Sequence, residues 1–252
     1  MNRAGLLSEC PIVILAGGLG TRLRSVVADR PKGLAPVGDQ SFLEIQISLL
    51  RDQGARRFVL CVGHMAPQIH DCLGDGSRLG VRIQYSLEPE TLLGTAGALR
   101  LAERFFNPHA LVLNGDTYLA ADYGDILEHH LEQRKDDPIL ATLVVSRLEE
   151  TQRYGTVLLD AAEGYVTGFC EKAAEANGPG WLNAGVYVIE RPLLEGVKRG
   201  VPCSLERDLF PAALADGIKI AAHRCRKPFY DIGTAESLQQ FCELYLDLSR
   251  VA

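Results

Sequence analysis

Apolar strands and amphipathic helices alternate along the first 145 residues, and this alternation is the feature that most restricts the fold. Strands buried on both faces are predicted at continuous apolar runs, residues 12–16, 58–62, 110–113 and 139–145, and a half-buried strand at 81–85. Helices are predicted between them at 41–53, 94–105 and 125–135. Because such alternation places strands parallel with helices on both faces, it predicts a doubly wound α/β sheet.

The pattern changes after about residue 150. Short strands are predicted at 155–159, 166–170, 184–189 and 218–222, with a helix capped by Ser204 and a final helix at 235–248. No low-complexity linker separates the two parts. The sequence therefore predicts one domain over residues 1–252, with a first lobe of about 1–145 and a second of about 146–252.

Charge and hydropathy exclude several classes of protein. The 26 basic and 32 acidic side chains give a net charge of −6, which argues against a general nucleic-acid binder. No apolar run approaches the roughly 20 residues that span a bilayer, so no membrane association is predicted. No secretory signal is evident at the N-terminus.

The cysteines and histidines do not have the spacing of metal or redox motifs. The seven cysteines include no CxxC pair, and Cys61 and Cys170 lie within apolar runs, so buried, reduced thiols and a cytoplasmic location are expected. His129 and His130 are predicted to lie on a helix surface. A zinc site is not expected.

A glycine-rich turn follows the first strand, in the sequence Leu15-Ala-Gly-Gly-Leu-Gly-Thr-Arg22-Leu-Arg24. Glycines allow backbone N–H groups to approach and surround phosphates. A dinucleotide fingerprint would need glycine where Leu23 stands, and no GK[ST] of a P-loop follows. Four basic residues, Arg22, Arg24, Arg30 and Lys32, accompany the turn. A phosphate-binding turn is therefore predicted, the alternative being a solvated basic loop.

This turn carries a family resemblance. With Arg30-Pro-Lys-Gly-Leu-Ala-Pro-Val37 it resembles the sugar-1-phosphate nucleotidylyltransferase pattern GxGTRLxPxTxxxPKxxxPV, departing from it at Ser25 and Val27, and it is most similar to the heptose 1-phosphate guanylyltransferase subgroup. Further motifs follow in family order along nearly the whole chain: Leu93-Gly-Thr-Ala-Gly-Ala98, Asn114-Gly-Asp116, Glu171-Lys172, Asn183-Ala-Gly185 and Asp231-Ile-Gly-Thr234.

The resemblance implies a Rossmann-like, doubly wound mixed sheet of the nucleotide-diphospho-sugar transferase type, with a small sugar-binding lobe. It also implies attack by a sugar 1-phosphate on the α-phosphorus of a nucleoside triphosphate, with release of pyrophosphate. The nucleophile is already an anion, so positioning and charge neutralisation are the expected contributions of the protein. The resemblance assigns catalysis to Arg22, Lys32 and Asp116, and Mg²⁺ binding to Asp116 and Asp231.

The resemblance also implies two sets of binding residues. The nucleotide is assigned to Leu15, Ala16, Gly17, Gly18, Gly20, Thr21, Arg22, Gly63, Glu88, Gly94 and Thr95. The sugar phosphate is assigned to Asn114, Gly115, Glu171, Lys172, Asn183 and Gly185. A carboxylate at Glu88 would accept hydrogen bonds from both N1–H and N2–H of guanine, which favours GTP; the alternative is a surface glutamate before Pro89.

Several substrates remain open at this point. The favoured acceptor is D-glycero-α-D-manno-heptose 1-phosphate. The form Gly94-Thr-Ala-Gly97 resembles mannose-1-phosphate guanylyltransferases, whereas Gly74-Asp-Gly-Ser-Arg78 resembles uridylyltransferases that act on N-acetylmuramate or hexose 1-phosphates. A non-catalytic, nucleotide-sugar-binding regulatory subunit is the alternative from another class, and a homo-oligomer is compatible with each reading.

Overall fold

The computed structural model describes residues 2–18, 20, 29–149, 156–160, 164–170 and 178–251. Its strands are β1 Ile12–Leu15, β2 Pro36–Val37, β3 Gln40–Ser41, β4 Arg57–Val62, β5 Arg82–Leu87, β6 His109–Asn114, β7 Thr117–Leu119, β8 Ala141–Leu148, β9 Thr156–Leu159, β10 Val166–Cys170, β11 Gly180–Glu190, β12 Ile220–Cys225 and β13 Phe229–Asp231. Its α-helices are α1 Arg3–Glu9, α2 Phe42–Asp52, α3 Ala66–Leu73, α4 Gly94–Ala102, α5 Tyr123–Asp136, α6 Phe210–Ala215 and α7 Ala235–Val251.

A nine-stranded mixed sheet forms the centre of the molecule. Seven strands follow the order β10-β9-β11-β6-β1-β4-β5, and β8 and β12 continue the sheet from β11. The early strands β6, β1, β4 and β5 are mutually parallel, as the alternating pattern predicts. Strand β11 is antiparallel to both β6 and β8. The predicted α/β fold with a large mixed sheet is confirmed.

Apolar layers cover both faces of the sheet, because alternate residues of each buried strand point to opposite sides. Ile12 and Ile14 of β1 pack in the layer that contains Leu43 and Ile47 of α2. Val13 packs on the other side, in the layer that contains Leu99 of α4. A smaller cluster joins α7 to α2, where the rings of Phe241 and Phe42 meet edge to face at 5.2 Å.

The sequence predicts the boundaries of α2 well. Ser41 accepts a hydrogen bond from the backbone N–H of Glu44, and the Glu44 carboxylate accepts one from the backbone N–H of Ser41 at 2.7 Å. This reciprocal capping box satisfies two backbone donors that the first helical turn leaves unpaired. The helix ends before Gly54, as expected.

Helix α1 was not predicted from the sequence. It spans seven residues, too few to show a helical period, and the residues that hold it in place are distant in the sequence. Leu7 is buried in the core, and the guanidinium of Arg3 forms ion pairs with Asp122, Asp125 and Glu128 around the start of α5. Tertiary contacts rather than local propensity therefore hold this helix.

Two expectations about polar side chains are wrong. His130 does not lie on a helix surface: α5 packs against the sheet, and His130 is fully buried, with Nδ1 2.8 Å from Thr142 Oγ1 and Nε2 3.0 Å from Glu190 Oε1. Cys170 is exposed at the end of β10, whereas Cys10, Cys61 and Cys225 are buried thiols. Among the described residues, every helix is too short or too polar to cross a membrane.

The buried Glu190 should make the fold sensitive to acid. Burial alone would raise its pKa, but hydrogen bonds and charges from His109, His130 and Arg134 outweigh burial and lower the pKa to about 2, from 4.5. A carboxylate with a depressed pKa stabilises the fold above about pH 4.5, and this contribution, about 3 kcal/mol, is lost as the pH falls toward 2. Burial also lowers the pKa of His130, so that histidine favours unfolding as it takes up a proton below about pH 6.5.

Thermal melts of the wild type should therefore show a Tm that falls steeply between about pH 4.5 and pH 2. Glu190→Gln should lower the Tm at neutral pH and flatten its dependence on pH in this range. Glu195→Gln, an exposed glutamate, is the matched control and should follow the wild type. Parallel Tm curves for Glu190→Gln and the wild type would contradict the prediction.

Candidate active site

A cavity of about 340 Å³ opens at the carboxyl ends of the parallel strands, where ligands bind in folds of this type. The strand register explains the position: Leu15 at the end of β1 pairs with Asn114 in β6 and with Cys61 in β4. The lining residues are Leu15, Ala16, Gly17, Gly18, Gly20, Lys32, Gly33, Glu88, Leu92, Gly94, Thr95, Asn114, Gly115, Asp116 and Gly233.

Gly115 brings two of these strand ends into direct contact. Its backbone N–H donates a hydrogen bond to the Leu15 carbonyl at 2.9 Å. A Cβ at this position would lie 2.6 Å from that carbonyl oxygen, closer than van der Waals contact allows. A side chain here would therefore separate the glycine-rich turn from Asp116.

Lys32 and Asp116 line the cavity, and Asp231 contacts Lys32 from beside it. Lys32 Nζ lies 2.6 Å from Asp116 Oδ2 and 3.5 Å from Asp231 Oδ1. The antiparallel pairing of β13 with β7 brings Asp231 here, and the Ile232 N–H donates to the Asp116 carbonyl at 3.0 Å. The three side chains together carry one uncompensated negative charge.

The two carboxylates have the donors that a divalent cation needs. Asp231 Oδ1 is buried and accepts no well-formed hydrogen bond within the described structure, its contact with Lys32 Nζ being a long one of 3.5 Å. Gly233 leaves space beside it, since a Cβ at that position would fall 2.8 Å from this oxygen. Oxygen ligands of this kind suit a hard cation such as Mg²⁺, which is commonly bound by one or two carboxylates and substrate phosphates.

Glu88 also lines the cavity. Its side chain is buried and Oε2 accepts a hydrogen bond from the Leu93 N–H at 2.7 Å. Burial raises its pKa, and the Leu93 N–H partly opposes this. The other oxygen, Oε1, faces Gly17 so closely that a methyl group on that residue would collide with it. Glu88 is therefore not the surface residue of the alternative interpretation.

The start of α4 closes one wall of the cavity. Thr95 Oγ1 accepts a hydrogen bond from the Leu205 N–H at 2.7 Å, and the Cys203 N–H donates to the Leu93 carbonyl at 2.8 Å. Gly63, predicted to bind the nucleotide, is not among the lining residues; a Cβ at this position would lie 3.0 Å from Leu92 and 3.2 Å from the Gly17 carbonyl oxygen.

The predicted sugar residues Asn183 and Gly185 lie outside the cavity lining but beside it. Gly185 contacts Asn114, and its N–H donates to Asn183 Oδ1 at 2.9 Å. Asn183 Nδ2 donates to the Tyr187 hydroxyl at 2.7 Å, and this hydroxyl donates to Glu206 Oε1 at 2.7 Å. Burial and then the Glu206 charge raise the pKa of Tyr187, which keeps its proton.

Sequence reasoning missed three polar residues that support the site: Gln46, Tyr187 and Glu206. Gln46 Nε2 donates to the carbonyls of Asn114 and Thr117 and so holds the loop that carries Asp116. Its signal was available, because a glutamine interrupts the apolar face of α2. Tyr187 carried no signal, since an aromatic residue is ordinary in a buried strand.

Some predicted residues lie outside the described part of the chain. These are Thr21, Arg22 and Arg24 of the basic turn and the pair Glu171 and Lys172, and their roles stay predictions. Arg30 is described: its guanidinium is exposed and pairs with the neighbouring Asp29 at 3.0 Å.

Comparison with known proteins identifies relatives over nearly the whole chain. The family described as Nucleotidyl transferase matches residues 12–247. The chain is 35% identical over 226 residues to a mannose-1-phosphate guanylyltransferase of Mycobacterium tuberculosis, covering 89% of this chain but only 61% of that protein. It is 33% identical over 231 residues to a D-glycero-alpha-D-manno-heptose 1-phosphate guanylyltransferase of Campylobacter jejuni, covering 91% and 97%.

The crystal structure of HddC from Yersinia pseudotuberculosis has the same fold. It aligns with a TM-score of 0.80 at 29% identity, covering 94% of this chain and 100% of that one. A second structure of HddC, complexed with GMP-PN, aligns with a TM-score of 0.79 at the same identity and coverage.

Proposed function

Because this chain belongs to the nucleotidyl transferase family, we propose that it transfers GMP from GTP to a sugar 1-phosphate and releases pyrophosphate. The observation that carries the proposal is the single cavity that joins a buried carboxylate, Glu88, to the charged group of Lys32, Asp116 and Asp231. The Glu88 carboxylate suits a guanine base, and the charged group suits phosphates and a cation. The relatives named guanylyltransferases support the same activity.

The chemistry requires no nucleophilic side chain. The attacking oxygen belongs to the sugar phosphate, which is anionic near neutral pH, so the chain has to align two anions and neutralise their charge. Backbone N–H groups of the turn at Gly17, Gly18 and Gly20 would contact the triphosphate. Lys32 would exchange part of its contact with Asp116 for the reacting phosphate. Arg22 is proposed to bind the β- and γ-phosphates.

Asp116 and Asp231 are proposed to hold a divalent cation, Mg²⁺, because Asp231 Oδ1 accepts no well-formed hydrogen bond and the group carries a net negative charge. When bound, the cation would offset charge on the phosphates. The pairing of Asp231 with Thr117 brings the two carboxylates together, so both could hold the same ion. Glu171 and Lys172 are proposed to bind the sugar and its phosphate.

The base preference is testable through Glu88. In Glu88→Gln an N–H₂ donor replaces one of the two acceptors for guanine N1–H and N2–H, and discrimination against ATP should fall by about tenfold or more. The measurement is kcat/KM for GTP and ATP at a fixed acceptor concentration. Glu90→Gln, an exposed glutamate two residues away, is the matched control. An unchanged ratio of GTP to ATP would remove Glu88 from the base site.

The acceptor is the least constrained part of the proposal. The heptose 1-phosphate is favoured because the relative that matches along 97% of its own length carries that name. Mannose 1-phosphate is the second candidate, favoured by the mycobacterial relative. Four nucleoside triphosphates tested against mannose, heptose and N-acetylmuramate 1-phosphates, scored by pyrophosphate release, decide between them. No turnover in any combination, despite GTP binding, would support a non-catalytic regulatory subunit.

A further inference from the structure

A second cluster of titratable side chains lies at the opposite ends of the strands from the cavity. His109 begins β6, whose other end is Asn114, so the cluster is about 17 Å away at 3.3–3.4 Å per residue. His130 comes from α5 and Glu190 from the end of β11. These three residues play no part in the proposed transfer reaction.

The ligand atoms of the three residues converge on one point. Glu190 Oε1 lies 3.0 Å from His130 Nε2 and 3.4 Å from His109 Nδ1, and all three atoms fall within 4.8 Å of one another. A tetrahedral zinc ion with bonds of about 2.1 Å holds neighbouring ligand atoms about 3.4 Å apart. The cluster is therefore already close to the size of a zinc site.

Two further observations fit a cation at this point. His109 Nδ1 is buried, and its contact with Glu190 Oε1 at 3.4 Å is at most a weak hydrogen bond, which is costly for a buried polar atom. His130 Nδ1 is held by Thr142 Oγ1, so Nε2 is oriented toward Glu190, as a partner behind a metal-bound imidazole would orient it.

Arg134 is the competitor for this position. Its Nη1 lies 3.1 Å from Glu190 Oε1 and supplies the positive charge that the buried carboxylate needs. His130 and Glu190 are buried and the His109 side chain is 12% exposed, whereas the Arg134 side chain is 43% exposed and can move into solvent. Binding of a cation and of this guanidinium to Glu190 would therefore be mutually exclusive.

We propose that His109, His130 and Glu190 form a site for a borderline-soft divalent transition-metal ion of the Zn²⁺ type, with solvent as the fourth ligand. The ion would displace Arg134 and would link α5 to the first residue of β6 and the last residue of β11. It would act on stability rather than on the transferred phosphate, because the cavity lies at the other end of the sheet.

Co²⁺ is the probe, because tetrahedral Co²⁺ gives intense visible absorption bands. Chelator-treated protein is titrated with excess Mg²⁺ present throughout, so that sites made only of carboxylates are occupied. The expected result is one equivalent of tetrahedral Co²⁺, displaced by Zn²⁺, and a Tm raised by Zn²⁺. Affinity should fall at least about tenfold in His109→Gln and stay unchanged in His70→Gln, an exposed histidine with the same substitution.

Arg134→Gln provides a second test that does not depend on the folding of variants of the three ligand residues. It leaves all three ligands in place and removes the competing charge, so Co²⁺ should bind about tenfold more tightly. Absence of tetrahedral bands in both the wild type and Arg134→Gln would overturn the proposal and make the cluster an ion-paired network. Bands that persist unchanged in His109→Gln would place the metal elsewhere.

Discussion

Asp116→Asn is expected to reduce pyrophosphate release from GTP and the preferred acceptor by at least about 10²–10³-fold. The substitution keeps the shape of the side chain but removes the charge that lies 2.6 Å from Lys32 Nζ, the same nitrogen that contacts Asp231. Both proposed roles of this carboxylate, cation binding and control of the lysine, depend on that charge.

The Tm without ligand should barely change, since Asp116 is partly exposed and its pairing contributes little to stability. Measuring kcat and Tm on the same preparation separates chemistry from folding. Asp52→Asn, at a 65% exposed position outside the cavity, should keep full activity. Mg²⁺-dependent turnover near the wild-type rate in Asp116→Asn would refute the assignment of this residue.

Gly115→Ala is expected to damage both activity and stability. The new methyl group would lie 2.6 Å from the Leu15 carbonyl oxygen, and neither strand end can yield without breaking the hydrogen bond between them. Such crowding costs about 1–3 kcal/mol. A displacement of Asp116 by about 1 Å relative to the glycine-rich turn would cost about 10²-fold in kcat.

Gly196→Ala is the matched control, because a Cβ there would meet its neighbour, Leu209 Cδ1, at an ordinary 3.9 Å. Activity and Tm should stay close to the wild type in that variant. The contact between strand ends would be irrelevant to catalysis if Gly115→Ala melted at a lower temperature yet kept its kcat.

The sequence predicted the parts of the fold that repeat locally. Ser41 and Glu44 are three residues apart and fix the start of α2, and the apolar runs around Ile12 and Phe58 specify buried parallel strands. Helix α1 was not predicted because it is stabilised by ion pairs between Arg3 and carboxylates more than 100 residues away in the sequence. His130 was misjudged because local pattern does not show which side of α5 meets the sheet.

The candidate site was predictable where backbone and charge motifs coincide. Lys32, Asp116 and Glu88 all reach the cavity that the glycine-rich turn implied. The motifs did not predict the contacts that support these residues: Gln46 of α2 holds the Asp116 loop, and Thr95, predicted as a nucleotide-binding residue, also accepts a hydrogen bond from the Leu205 N–H. These contacts depend on distances between helices, which no single segment encodes.

The position of β11 in the sheet also determines when the sheet can be completed during synthesis. Strand β6 pairs with β1 on one side and with β11 on the other, yet about 65 residues separate its end from the start of β11. During synthesis the apolar edge of β6 therefore stays open until residues 180–190 leave the ribosome. An open edge of this kind invites pairing with other chains, so truncations near residue 145 should aggregate and nascent chains should depend on chaperones.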